Sequence, residues 1–544
     1  MQVIIPMSGF GERFRRAGYT VPKPLIEVDG KTIIDHVVSM FPGETDFTFI
    51  CNRDHLENQA FRMREILERC CTSGRIVPIE PHKLGPVNAV LQVADLIKPD
   101  EPAIVNYCDF TCYWNYARFK GFVEHSECDG AIVCYTGFHP HMLHSVNFAY
   151  VMETAGRVTN IQEKCPFTDT PMAEYASSGT YYFKSGRLLL EYFEKSMRPD
   201  LALNGEYYVS MVYKPMIEEG LDISVFPIQH FMQWGTPEDL AEYRYFSQMF
   251  RNLVQPRPSP RQDGAVMIPM AGLGSRFSKE GYADPKPLIP VSGKPMAVQS
   301  MRDLPQADRA VFIVRRDMDK LDEIMEVVKG EVSGVVFVVL DKLTEGQACT
   351  CLAGMNEIDP SMPLTIGACD NGALYDADAF EAMMNDKEID VLVWVARGYP
   401  GAVTAPHMYG WVDAEGGAVR RVSVKTPLSN PSRDPIITGT FTFKRVSDFV
   451  ASVDRMMARE GRINGEFYVD TCINDAVELG LRVGIIEVDS YLCWGTPEDL
   501  RRFEYWQSCF HKWDGHPYRL ENDPDIAPEA LAEIEARYAP DEAG

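Results

Sequence analysis

The chain spells out one architecture twice. Residues 5–16 read IPMSGFGERFRR and residues 268–279 read IPMAGLGSRFSK. Extended downstream, IPMSGFGERFRRAGYTVPKPLIEVDGK and IPMAGLGSRFSKEGYADPKPLIPVSGK agree at 17 of 27 positions. Further pairs follow in the same order at an offset near 260: KLGPVNAVL with TEGQACTCL, NYCDF with GACDN, SGTYYFKS with TGTFTFKR, NGEYYVS with NGEFYVD, and QWGTPEDL with CWGTPEDL. Solenoid units run to only about 20–45 residues, so a repeat of this length is a duplicated whole domain. The stretch QPRPSPRQDG, residues 255–264, is rich in Pro and charge, lacks an apolar period, and reads as a stiff linker. The expected layout is a domain over 1–253, a linker over 254–264, a second domain over 265–510, and a plain tail over 511–544 with a short helix in APEALAEIEARYAP.

Within one copy, Val3–Pro6 and residues 46–51, 103–107 and 130–135 are short apolar runs that read as buried strands. Helical stretches lie between them, such as His55–Cys71 and Val87–Ile97. Strands alternating with helices predict an α/β layer around a mixed, mostly parallel sheet in each half. Ligands of such sheets bind beyond the C-terminal strand ends. Two features fall there in each copy: the Gly-rich loop after the first strand, and an aspartate, Asp109 after AIVNYC and Asp370 after PLTIGAC.

Charge narrows the partners. The net charge is -25, from 53 basic and 78 acidic residues, so neither nucleic acid nor an anionic membrane surface is an expected partner. A small anionic ligand would need a local basic cluster. The 14 cysteines form no CxxC pair with a matching second pair, which argues against a zinc site and for free thiols in a reducing compartment. MQVIIPMSGF has no basic n-region, and no stretch approaches the ~20 apolar residues of a membrane helix, so the expectation is a soluble cytoplasmic protein. His139, His141 and His144 in GFHPHMLH read as a surface loop or an acceptor contact rather than a metal site.

The Gly loop excludes two common nucleotide-binding patterns. A dinucleotide fingerprint needs a third glycine where Phe14 and Phe277 stand. A Walker A loop ending at Gly30-Lys31-Thr32 needs a glycine where Leu25 stands, and the second copy reads Gly293-Lys294-Pro295. A third pattern matches in both copies, GxGxR followed by PKP: Gly9, Gly11, Arg13, Pro22, Lys23 and Pro24, then Gly272, Gly274, Arg276, Pro285, Lys286 and Pro287.

On these residues the chain resembles the sugar-phosphate nucleotidyltransferase superfamily, over residues 1–250 and again over 265–510. The resemblance implies two tandem Rossmann-like domains. It also implies transfer of a nucleotidyl group from an NTP to a phosphorylated small-molecule acceptor, with Mg2+ and release of pyrophosphate. Arg13 and Arg276 would then hold the leaving phosphates, and Lys23 and Lys286 the transferring phosphoryl group. Ser8, Gly9, Gly11 and Gly85 would line the nucleotide, as would Ala271, Gly272, Gly274, Ser275 and Gly346. Asp109 and Asp370 would bind the metal. Lys164 and Lys425 would hold the acceptor phosphate, with Glu163, Glu206 and Glu466 as further acceptor contacts. The acceptor phosphate is largely dianionic near pH 7, so charge neutralisation and positioning matter more than a strong base.

Departures from that pattern set further expectations. Glu163 becomes Val424 in the second half, which weakens the case for acceptor binding there. Gln233 and Cys493 stand where a second metal aspartate is expected. Glu12 replaces the small hydroxyl residue that Ser275 keeps, and its charge would repel phosphate. Glu80 and Asp341 fall at the base-recognition position. A carboxylate accepts from an amino group, which favours CTP. The expected product is an activated precursor for a capsule or lipopolysaccharide pathway, and a homo-oligomer is compatible with the sequence. The rival reading makes one half a non-catalytic nucleotide-binding regulator or scaffold. A glycosyltransferase would want a DxD motif, which CDF and CDN do not supply.

Overall fold

The computed structural model describes residues 1–538. The chain divides into two compact units, Met1–Arg244 and a second that begins at Tyr245. Each unit is built on a nine-stranded sheet. In the first the strand order is Arg75–Ile79, Asp46–Asn52, Gln2–Met7, Ala103–Asn106, Tyr175–Phe183, Gly130–Tyr135, Ile223–Pro227, Arg157–Glu163 and Ala149–Thr154. The second unit has the same order over Val335–Leu340, Arg309–Arg315, Ala265–Pro269, Leu364–Ile366, Ile436–Phe443, Val391–Ala396, Val483–Glu487, Ala418–Val424 and Gly410–Glu415.

The sheets are mixed. In the first unit, Gln2–Met7 runs parallel to Asp46–Asn52 and Ala103–Asn106, whereas Tyr175–Phe183 is antiparallel to both its neighbours. Central strands are apolar on both faces: every residue of Gly130–Tyr135 and of Val391–Ala396 is buried, as expected of strands covered on both sides. Outside each large sheet lies a short antiparallel ribbon. Phe110–Tyr113 pairs with His230–Gln233, and Asn371–Leu374 pairs with Ser490–Cys493. These ribbons join a mid-chain aspartate to the WGTP segment far along the chain.

The expected helix over His55–Cys71 is broken into Arg53–Glu57, a short turn Gln59–Phe61, and Met63–Cys70. Asn58 causes the break: its side chain accepts from the Ala60 N–H, giving the backbone an alternative to the helical ladder. The stretch Val87–Ile97 is likewise a short helix, Pro86–Leu91, followed by the turn Ala94–Leu96.

Two segments expected to be free are anchored in the second unit. In the Pro-rich stretch, Arg257 bonds to Asp303 at 3.2 Å and to Asp525 at 3.0 Å, and buried Gln262 receives the Thr365 hydroxyl. The residues beyond 511 are no plain tail. Tyr518 and Leu520 are fully buried, and the helix Leu531–Tyr538 buries Ile534 against the Gly293 turn. The Tyr518 hydroxyl donates to Asp523 and accepts from Gln507. Tyr518→Ala should therefore destabilise the second unit by about 3–5 kcal/mol, read as a fall in its urea midpoint.

Candidate active site

In both units the first strand runs into the glycine loop and then a five-residue helix, Glu12–Arg16 or Ser275–Lys279. Gly11 and Gly274 take φ of 62° and 60°, a left-handed conformation that favours glycine at the turn into the helix. Gly9 and Gly272 differ: a side chain there would meet no protein atom within 4 Å, so packing does not demand glycine. The loop is held from behind. Asn52 donates to the Ser8 carbonyl at 3.3 Å, and Arg315 donates to the Ala271 carbonyl at the matching place. Phe14 and Phe277, which break the dinucleotide pattern, are buried beneath the loop, with the Lys23 and Lys286 ammoniums 5.5 and 5.6 Å from their ring centres. Arg13 and Arg276 point outward and are exposed.

The PKP lysine is the junction of the site. Lys23 donates to the Asp109 carboxylate at 2.6 Å and to the Gly235 carbonyl at 3.0 Å. Lys286 makes the same two contacts, to Asp370 and, at 3.2 Å, to Gly495. The Trp234 N–H donates to the Asp109 carbonyl, and that of Trp494 to Asp370. Gln233 and Cys493 lie beside these aspartates: a methyl on Gly235 would sit 2.5 Å from the Gln233 amide nitrogen and 3.6 Å from an Asp109 oxygen. Burial pushes the Cys493 thiol well up, so it is neutral at pH 7. Asp239, capped by Thr236, stands close enough to Lys23 to feel its charge, and burial raises its carboxyl to about 7. Among the described residues no group of three acidic, His or Cys side chains could hold a metal. The donor set still suits Mg2+, which takes one or two carboxylates and completes its shell with water and substrate phosphate.

A second loop closes over the first. Gly85 and Gly346 have positive φ, and a side chain on either would collide with the backbone of Tyr207 or Phe467, at 2.6 and 2.5 Å. The close approach forms a small ladder: Tyr207 N–H to the Leu84 carbonyl and Val87 N–H to the Tyr207 carbonyl, with Phe467 bonding to Glu345 and Ala348 likewise. Lys83 on this loop reaches Glu12 at 2.9 Å, so the charge expected to repel phosphate is already paired, and Lys83 holds that carboxyl below its ordinary range. The matching positions in the second unit are both hydroxyls, Ser275 and Thr344. Glu80 and Asp341 lie at equivalent strand ends, each exposed and paired with an arginine, Arg53 at 2.9 Å and Arg316 at 2.8 Å.

The residues expected to contact the acceptor also stand together. Lys164 and Lys425 both adopt φ of 56°, a strained state for lysine that clusters at functional positions. The Lys164 ammonium donates to the Tyr208 hydroxyl at 2.7 Å, which in turn donates to Glu206 at 2.6 Å. Lys425 donates to Tyr468 at 3.1 Å. Asn204-Gly205 and Asn464-Gly465 form tight turns with positive φ at both residues rather than helix starts. They present Glu206, drawn in by Tyr208, and Glu466, which is exposed. Glu163 accepts from Ser210 at 2.5 Å, and burial raises its carboxyl against the opposing pull of Ser210 and Lys164.

Residues 2–226 match the family model described as Nucleotidyl transferase. The N-terminal half belongs to that family. The chain is also similar to mannose-1-phosphate guanyltransferases of Schizosaccharomyces pombe, 28% identical over 137 residues, and Neurospora crassa, 27% over 143. Each match covers 24% of this chain and 37% of the relative, so the chain spans little more than a third of those relatives' length. Among solved structures, a nucleoside-diphosphate-sugar pyrophosphorylase from Vibrio cholerae aligns with TM-score 0.37 and 22% identity, over 44% of this chain and 98% of that one. The inositol-1-phosphate CTP transferase from T. maritima aligns with TM-score 0.35 and 13% identity, over 46% and 98%.

Sequence reasoning missed Lys83, Arg53, Asn52, Tyr208 and Asp239 in the nucleotidyl transferase domain. Two of them carried a signal that could have found them: Tyr208, inside the repeated NGE-x-Y segment, and Asp239, inside the repeated WGTPEDL segment. His139 and His141 are buried rather than on a surface loop; His141 bonds the Tyr135 hydroxyl, and burial pulls His139 down to about 4. In the second-loop junction, Gly85→Ala is expected to cost about 1–3 kcal/mol by overpacking, read as a lower melting temperature of the nucleotidyl transferase domain.

Proposed function

We propose that the chain is a tandem nucleotidyltransferase. It transfers an NMP group from an NTP, CTP favoured, to a phosphorylated sugar or similar small-molecule phosphate and releases pyrophosphate, for surface-polysaccharide precursors. The observation that carries this reading is the Lys–Asp junction beside an open glycine loop at the strand ends, present in both halves. Gly9 and Gly272 face space rather than protein, which suits close approach of NTP phosphates to the backbone. Arg13 and Arg276, exposed beside the loop, pair with the phosphates that leave. Lys23 and Lys286 neutralise the phosphoryl group under attack. Lys164 and Lys425 orient the acceptor phosphate, whose oxygen forms the new bond to the α-phosphorus as the bond to pyrophosphate breaks. Mg2+ held by Asp109 or Asp370 together with the phosphates would supply further charge neutralisation.

For the base, Glu80 and Asp341 carry the preference for CTP. Their arginine pairs are exposed, and such pairs contribute only about 0–1 kcal/mol, so a base amino group can compete for the carboxylate.

Pyrophosphate release should be followed with each NTP against a panel of phosphate monoesters. Turnover with GTP or dTTP but not CTP would overturn the base assignment. Lys23→Ala and Lys286→Ala should each lower kcat at their own site about 10²–10³-fold. Asp109→Asn and Asp370→Asn should each leave residual turnover from the other half. If one abolishes all turnover and the other none, one half is a non-catalytic partner.

A further inference from the structure

The loss of Glu163 in the second half is made good from the opposite wall. Glu163 ends the strand Arg157–Glu163, faces Ala149 in register, and accepts from Ser210 on the segment that follows the NGE turn. The three matching positions in the second unit are Val424, Gly410 and Asp470. Val424 ends the strand Ala418–Val424 and faces Gly410 in register. Asp470 lies six residues after Asn464, as Ser210 lies six after Asn204. The carboxylate has left the strand and reappeared on the helix Val469–Glu478.

The third position shows that the exchange is built. A methyl group on Gly410 would sit 2.4 Å from an Asp470 oxygen, so the alanine of the first unit would displace the Asp470 carboxylate from this position. Ala149 with Glu163 and Ser210, and Gly410 with Val424 and Asp470, are two solutions for one carboxylate beside the acceptor lysine. Asp470 feels the charge of Lys425, as Glu163 feels that of Lys164.

The surroundings differ in kind. Around Glu163 stand the hydroxyls of Tyr107, Tyr181 and Ser210, with Ser177 bonding Tyr181 and Tyr107 receiving the Val209 N–H. The matching positions of Tyr107, Ser177 and Tyr181 in the second unit are Ala368, Ile437 and Phe441, with Asp470 at the Ser210 position. One hydroxyl-rich wall has become an apolar wall with a single acid.

We propose that Asp470 is the acceptor-positioning carboxylate of the C-terminal site, and that this site takes a phosphate monoester with fewer hydroxyls than the N-terminal acceptor, a hydrogen-bond-donating group of which meets Asp470. This rests on the reading of the C-terminal half as a transferase. The test uses the full chain carrying Lys23→Ala and Lys164→Ala, which remove the transfer and acceptor lysines of the N-terminal half, so that turnover and acceptor binding report the C-terminal site. The probes are mannose 1-phosphate, inositol 1-phosphate, glycerol 3-phosphate and phosphoethanolamine, scored by calorimetric binding and by pyrophosphate release. Glycerol 3-phosphate or phosphoethanolamine should bind best. Asp470→Asn should then raise the acceptor KM or Kd at least about tenfold, the worth of a charge-assisted hydrogen bond, with the NTP KM unchanged.

The triple variant Gly410→Ala, Val424→Glu, Asp470→Ser moves the carboxylate to its place in the other half and should recover acceptor binding to within about threefold. Asp470→Asn with an acceptor constant within about twofold of the parent, or with NTP and acceptor constants rising together, overturns the role of Asp470. Preference for the hexose or inositol phosphate overturns the acceptor class. Binding of no probe overturns the whole proposal. Binding without pyrophosphate release, still sensitive to Asp470→Asn, keeps the acceptor site and defeats only the transferase reading of this half.

Discussion

One ammonium group organises each half. Lys23 joins three segments: its own PKP turn, Asp109 at a distance of 86 residues, and Gly235 at 212 residues. A largely covered lysine is costly unless its charge is met, and here a carboxylate and a carbonyl meet it. The short ribbons that pair Phe110–Tyr113 with His230–Gln233, and their counterparts in the second unit, deliver those two partners to one point. Burial pulls the Lys286 pKa down, but its neighbours, Asp370 foremost, outweigh this and hold it above the ordinary lysine value. The cation is therefore kept at the junction where, on the proposed function, the phosphoryl charge is neutralised.

A second constraint links the two ends of the cleft. Gly85 and Gly346 let the loop after the third strand lie directly on the backbone that follows the NGE turn. The segment beside the base position and the segment bearing Tyr208 or Tyr468 thus become one hydrogen-bonded body. Lys164 bonds to Tyr208, and Lys83 on the same loop bonds to Glu12 in the glycine loop. The two sides proposed for nucleotide and acceptor therefore share a frame, which suits in-line transfer because small misplacements of the reacting groups are costly.

The duplication, the alternation of strands and helices, the glycine loop and the Lys–Asp pair were legible because they rest on local patterns written twice. What was hidden depends on contacts between distant segments. Nothing near Glu12 reveals that Lys83 pairs with it, since 71 residues separate them. The helix over His55–Cys71 fails for a local reason, the competing side chain of Asn58, that hydrophobic periodicity does not register. The residues after 511 have no copy in the first half, so the repeat could not forecast that Tyr518 and Ile534 would be buried.

The differences between the halves bear on whether both sites work. A half freed from binding would lose residues singly and leave unmatched partners behind. Here the changes come in sets. Glu12 with Lys83 gives way to Ser275 with Thr344, so that an ion pair in one unit becomes two hydroxyl residues in the other. Ala149, Glu163 and Ser210 give way to Gly410, Val424 and Asp470, and the glycine makes room for the new acid. The Lys–Asp junction and the strained acceptor lysine are unchanged in both. Constant phosphate-binding groups beside a rebuilt acceptor wall support two sites sharing one chemistry and separated by the molecule each one accepts.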